Sequence, residues 1–164
     1  MLDQLLKIVE QSSQKEIVEN RSMPDQFNNA AIKEVTTQII SNLKGQVAQG
    51  NMQQIIALFQ TGGGKALSNS PVVSAMVTTV TASLATRFAL SPQVAHTVAS
   101  NLVPIVMSQI IKKSNDPRDI DFDLQQMMRG MTGNSTLDIS SMVGQTPKSG
   151  MGNIGNIFGK LFGK

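Results

Sequence analysis

Three places in this chain carry residue types that could do chemistry. Asp119, Asp121 and Asp123 alternate as carboxylates do at the start of a calcium loop. Such a loop needs glycine at its sixth position and glutamate at its twelfth; here those positions hold Leu124 and Gly130. The expected work of these acids is to cap a helix opening at Leu124 and to place negative charge near its N-terminus. Thr61-Gly62-Gly63-Gly64-Lys65 has the glycine and lysine of a phosphate-binding loop without its frame. That motif requires glycine five residues before the Gly-Lys pair and Ser or Thr after it, where this chain has Phe59 and Ala66. A flexible joint is the expectation. His96 is the only histidine, so a multi-histidine metal site or a histidine relay has no second member, and its helical phase beside Val94 and Val98 puts it on a flank or surface.

The wider composition points the same way. From Val35 to Asn115, about half the chain, there is no aspartate or glutamate. The titratable side chains of that stretch are Lys44, Lys65, Arg87, His96, Lys112 and Lys113, a set poorly suited to acid–base or metal chemistry. With no cysteine in the chain there is no thiol nucleophile, disulfide framework or cysteine-ligated zinc. No spacing of serine, threonine or lysine marks a nucleophile with its base. No catalytic, cofactor-binding or metal-ligating residue is assigned; a non-enzyme without cofactor and without an evident small-molecule substrate is expected.

The elements around these residues read as helices throughout. Leu2, Leu5, Leu6 and Val9 mark a first amphipathic helix, with Ile17 and Val18 extending it or adding a turn. Arg21 to Phe27 is a break centred on Pro24-Asp25. Ile32, Val35, Ile39, Leu43 and Val47 form a second stripe, ended by Gly50, after which Asn51 is placed to cap a short helix carrying Met52, Ile55, Ile56 and Phe59. Ser70-Pro71 and Ser91-Pro92 each pair an N-cap with proline at the first helical position. The first opens a helix with Val73, Met76, Val77, Val80, Leu84 and Phe88 on one face. The second leads into Val94, Val98 and Leu102, then through Pro104, where a kink is expected, to Ile105, Val106, Ile110 and Ile111. Lys112 and Lys113 suit that helix's C-terminus. Leu124, Met127 and Met128 form a short segment, and Ser135-Thr136-Leu137-Asp138 resembles a capping box for a last helix with Ile139, Met142 and Val143.

The predicted class is all-α: a compact bundle of short helices over residues 1–143, a linker at 144–153 and a glycine-rich tail at 154–164. An aromatic share of 4% with ten methionines makes the core aliphatic and Met-filled. The stripe Ile32, Val35, Ile39, Leu43, Val47 returns forty-one residues later as Val73, Met76, Val80, Leu84, Phe88. A duplicated helix–turn–helix unit, about 28–60 and 69–102, is one explanation; the general likeness of amphipathic helices is the other.

The tail is the most suggestive segment for function. Ile154, Ile157, Phe158, Leu161 and Phe162 fall on one helical stripe, with Gly155, Gly159 and Gly163 beside it and Lys160 and Lys164 on a third line. Glycine costs about 1 kcal/mol in a helix interior, so this peptide is expected to order only on docking, whether on its own domain, another copy, a different protein or a membrane surface.

Blocks along the chain resemble a bacterial family of uncharacterised proteins related to YidB. They are Leu67-Ser68-Asn69-Ser70-Pro71-Val72-Val73, Phe88-Ala89-Leu90-Ser91, Leu102-Val103-Pro104-Ile105-Val106 and Asn115-Asp116-Pro117, with Phe122-Asp123-Leu124 and the closing Ile157-Phe158-Gly159-Lys160-Leu161-Phe162-Gly163-Lys164. Met1-Leu2-Asp3-Gln4-Leu5-Leu6 and Asn29-Ala30-Ala31-Ile32 are similar to the version found in Bacteroidetes-type bacteria. The resemblance implies an all-helical cytoplasmic bacterial protein and carries over no catalytic residue. The first residues lack a secretory pattern, and no run approaches about 20 consecutive apolar residues, which also favours the cytoplasm. The expected function is a non-enzymatic protein-interaction or self-assembly module that uses apolar helix faces and the C-terminal docking peptide, oligomeric with itself or bound to another protein. The alternatives are nucleic-acid binding through Lys44, Lys65, Arg87, Lys112 and Lys113, and peripheral membrane association through the tail.

Overall fold

In the computed structural model the described residues are 2–61, 64–116, 118–119 and 123–139. They form seven α-helices and no strand: α1 (Leu2–Ser12), α2 (Asn28–Ala48), α3 (Met52–Gln60), α4 (Lys65–Ser68), α5 (Pro71–Arg87), α6 (Pro92–Ser114) and α7 (Leu124–Thr132). A π-helical turn (Gln14–Val18) follows α1, and a 3-10 turn (Asp25–Phe27) leads into α2. The all-α architecture is therefore as expected.

Serine chemistry shapes the first joint. The buried Ser13 hydroxyl donates to the Val9 carbonyl, and wide-turn bonds run from Val18 N–H to Ser13 O and from Glu19 N–H to Gln14 O, at 3.2 and 2.9 Å. Leu5, Val9, Ser13 and Ile17 lie at intervals of four and are all buried. In an α-helix each such step drifts by about 40° around the axis; the wider turn takes up that drift and returns Ile17 to the core.

α5 is the central helix, packed along α2 on one side and α6 on the other. Its stripe residues Met76, Val80 and Leu84 have no exposed surface. Ile32, Val35, Ile39 and Leu43 of α2 and Val73 of α5 are buried with them, whereas Val47 and Phe88 are half-buried. Phe88 stands just past the end of α5, with its ring tilted against Phe27 at 5.8 Å between centroids. Ser91 caps α6 by accepting from Val94 N–H at 3.3 Å, and Pro92 occupies the first turn as its start signal predicts.

α6 remains one helix across Pro104 and, at 23 residues, is the longest. By length and composition it could cross a membrane, with a mean hydropathy of 1.4 over its most apolar window, half of which is buried in the fold. It packs on α5, α1, α4 and the π-helical turn, so its buried set runs well round the helix. Ala95 and Ala99 belong to that set, small side chains that let neighbouring backbones come close.

Several local expectations are corrected. Ile105, which continues the apolar pattern beyond Pro104, is 43% exposed and lines a depression together with residues of the π-helical turn. Asn51 does not cap α3 with its side chain; its amide instead donates to Gln46 Oε1 at 2.6 Å. Ser135 and Thr136 lie in a turn rather than a helix start, because Asn134 Oδ1 accepts from both the N–H and the hydroxyl of Thr136, a local alternative to helix. In the pair compared as a possible duplication, α6 with 23 residues is longer than the 17-residue α5, whereas α3 with 9 is shorter than the 21-residue α2, so the two pairs differ in proportion. Met142, Val143, the linker 144–153 and the tail 154–164 lie outside the described residues.

Candidate functional site

The acid-free stretch begins directly after Glu34, and Glu34 is the carboxylate that meets the core. Its side chain is only 11% exposed. Ser83 donates its hydroxyl to it, Gln38 donates from Nε2 at 2.8 Å, and Arg87 Nε stands 3.3 Å away. Two turns along, Thr79 donates to Asn42 Oδ1 at 3.4 Å. Glu34, Gln38 and Asn42 on α2 thus face Arg87, Ser83 and Thr79 on α5, each set at intervals of four, which fixes the two helices as antiparallel. Burial pushes the Glu34 carboxyl up, but the Ser83 and Gln38 hydrogen bonds and the Arg87 charge outweigh it and hold the group below its ordinary value. Chemically this is a neutralised, hydrogen-bonded carboxylate; its donors are saturating it rather than presenting it to a ligand. Sequence reasoning missed this seam, although the two four-residue polar ladders flanking the apolar stripes were there to be read.

A second feature lies between the π-helical turn and α6. Here an open depression of about 380 Å³ is lined by Gln11, Ser12, Gln14, Lys15, Glu16, Glu19, Ile105 and Gln109. Glu16 of this lining also accepts from Asn101 Nδ2 of α6 at 3.2 Å. The wide turn at 14–18 borders this depression through Gln14, Lys15 and Glu16. Pro104 has no N–H to give the Ser100 carbonyl. Ile105 is the one large exposed apolar side chain among the described residues.

The five basic residues considered for nucleic-acid binding separate into two groups. Arg87 lies at the Glu34 end of α5 and is paired there. Lys44, Lys65, Lys112 and Lys113 fall at the opposite end, where α2 and α6 finish and α4 leads into α5; Asn115 Nδ2 ties that end to α3 through the Phe59 carbonyl at 3.0 Å. Asp119 meets Lys113 at 3.6 Å and Asp116 meets Arg118 at 3.1 Å. Among the described residues, Lys44, Lys65 and Lys112 have no carboxylate partner.

The residues singled out for chemistry are placed apart. Asp123 is the N-cap of α7, accepting from Gln126 N–H at 2.6 Å, as expected; Asp121 lies outside the described residues. Gly64 adopts a left-handed φ of 68° and opens the four-residue α4, which explains a glycine there without a phosphate; Gly62 and Gly63 are outside the described residues. His96 is exposed. No group of three or more potential metal ligands occurs among the described residues. The tail residues Ile154, Ile157, Phe158, Leu161 and Phe162 are outside the described residues as well.

The chain matches no protein-family model, no curated protein and no solved structure.

Proposed function

We propose that this chain is a non-enzymatic protein-interaction or self-assembly module, in which the helical bundle is a scaffold and the contact is made by the stripe Ile154, Ile157, Phe158, Leu161 and Phe162. One observation carries this reading. Among the described residues the apolar stripes cover one another in a single core, leaving only Ile105 as a large exposed apolar side chain. The described bundle therefore has little unspent apolar surface, and the amphipathic pattern at 154–164 is a further apolar stripe in the sequence, which supports reading it as the contact element. Membership of the YidB-related family is part of this proposal and rests on the ordered blocks quoted above.

Size-exclusion chromatography with light scattering, on the full chain and on a variant ending at Asn153, tests it. The deletion should change the oligomer mass while leaving the helical signal and Tm nearly intact. An unchanged mass, together with unchanged recovery of bound proteins, counts against the tail.

Nucleic-acid binding is the second reading, favoured by the gathering of Lys44, Lys65, Lys112 and Lys113 at one end of the bundle. Such a patch would act on phosphates, with an affinity that falls steeply with salt. A gel shift at about 50 mM salt decides it, and no retardation there removes it.

A further inference from the structure

We propose that the C-terminal stripe seats in its own molecule, in the depression between the π-helical turn and α6, against Ile105. The inference rests on the reading of the tail as a docking peptide and goes beyond it: seated here, the stripe is covered within its own molecule and has to leave the depression before it can meet a partner.

Three observations converge on this occupant. The depression contains the one large apolar side chain that the described bundle leaves exposed, while the tail repeats apolar residues along one helical line. The charges are complementary: residues 140–164 carry Lys148, Lys160 and Lys164 and no acid, whereas Glu16 and Glu19 outnumber Lys15 around the depression. Reach is sufficient. Ile139 is held on α7, its N–H donating to Gln125 Oε1 at 3.2 Å, and the fourteen residues 140–153 follow it. Fully extended, they span about 46–50 Å, more than the roughly 37 Å diameter of a compact domain of this size. As a flexible linker they place the tail about 20 Å from its root on average. That corresponds to a local concentration in the millimolar range, which favours the molecule's own depression over that of a second copy.

The site's build supports a seat rather than an accident of packing. The wide turn at Gln14–Val18, an exception to regular helix, supplies Gln14, Lys15 and Glu16 to its lining. Wide turns recur at functional positions in helices.

Because the chain has no cysteine, a single nitroxide label can be placed cleanly. Lys7→Cys is on the exposed side of α1, one turn before the depression, and does not line it. In the labelled full-length protein, the amide signals of Phe158 and Phe162 should lose intensity severalfold relative to the reduced label. In an equimolar mixture of spin-labelled chain with isotope-labelled chain lacking the nitroxide, they should keep it. Ile105→Lys should restore the signals in the first sample. Loss of intensity in the mixture overturns the proposal in favour of a second copy, and retention in both samples overturns it altogether. Persistence of the effect in Ile105→Lys removes the named contact. These results are independent of the mass measurement, so the tail can fail to seat here and still prove to be the assembly element.

Discussion

Ser83 on α5 donates its hydroxyl to the carboxylate of Glu34 on α2, across forty-nine residues of sequence. With Arg87 one turn beyond and Asn42–Thr79 two turns the other way, this pair sets the register in which the two longest apolar stripes of α2 and α5 meet. An apolar seam alone tolerates sliding, because hydrophobic contact has no direction; a carboxylate that meets a hydroxyl and a guanidinium of the other helix does not. Glu34→Ala should therefore destabilise the fold by about 1–3 kcal/mol, the usual range for a partly buried, charge-assisted network. Urea denaturation of the two proteins measures it. A midpoint unmoved by the substitution would mean that the seam does not hold the helices.

Acid should weaken the same seam. The Glu34 carboxyl titrates below the ordinary glutamate value of 4.5, with burial raising it and the Ser83, Gln38 and Arg87 interactions lowering it further. A group whose pKa is depressed on folding stabilises the native state above its unfolded value, and that stability is lost as pH falls through the depressed value. Asp116 is also lowered, by its bonds to Arg118, so the acid limb of the wild type has more than one source. Comparing wild type with Glu34→Gln isolates one of them. The stability difference should be greatest at neutral pH and shrink below about pH 4.5. A difference that stays constant from pH 7 to pH 3 would show that Glu34 is not the titrating group.

Core and surface substitutions on neighbouring helices should separate sharply. Leu84 on α5 has no exposed surface, and Leu84→Ala should cost about 2–5 kcal/mol through lost burial and a residual cavity. Val80→Asp buries an unpaired charge at an equally covered position and should abolish cooperative folding. Ile105→Ser, on the exposed side of α6, should fall within about 0.5 kcal/mol of wild type. Thermal melts followed by circular dichroism report all three. Near-equal costs for Leu84→Ala and Ile105→Ser would overturn the assignment of these faces.

The apolar stripes were legible because a 3.6-residue period survives in Ile32–Leu43 and Val73–Leu84 whatever they pack against. Where helices stop and start was legible only in part. Ser91-Pro92 and Asp123 act as their residue types predict, but Asn51 and Thr136 are drawn into other bonds by Gln46 and Asn134. What one sequence position cannot express is which neighbours surround it. Val72, Ala95, Ala99 and Val103 are buried because α5 and α6 are each covered on more than one side, and a single-stripe reading leaves them out. Met23 and Ile8 are buried for the same reason, near the joint created by Ser13. Glu34 escaped notice because its partners Ser83 and Arg87 come from a helix remote in sequence.

The exit from the bundle provides a last test, and it bears on any role of the tail. Gln125 Nε2 and Arg129 Nε both donate to the Leu137 carbonyl, at 3.1 and 2.8 Å, while Gln125 Oε1 accepts from Ile139 N–H. Ile139 is 8% exposed, so this clamp holds the chain against α7 and fixes where the following segment leaves. Truncating Arg129 removes the shorter of the two bonds to Leu137 and leaves Gln125 to hold the segment alone. Amide hydrogen exchange at Ile139 should accelerate by about tenfold in Arg129→Ala, the equivalent of about 1.4 kcal/mol, and further in Gln125→Ala, which removes the acceptor itself. Exchange in α5, measured in the same experiment, should not change. If α5 accelerates in step with Ile139, the clamp is part of the global fold rather than a local anchor for the segment beyond it.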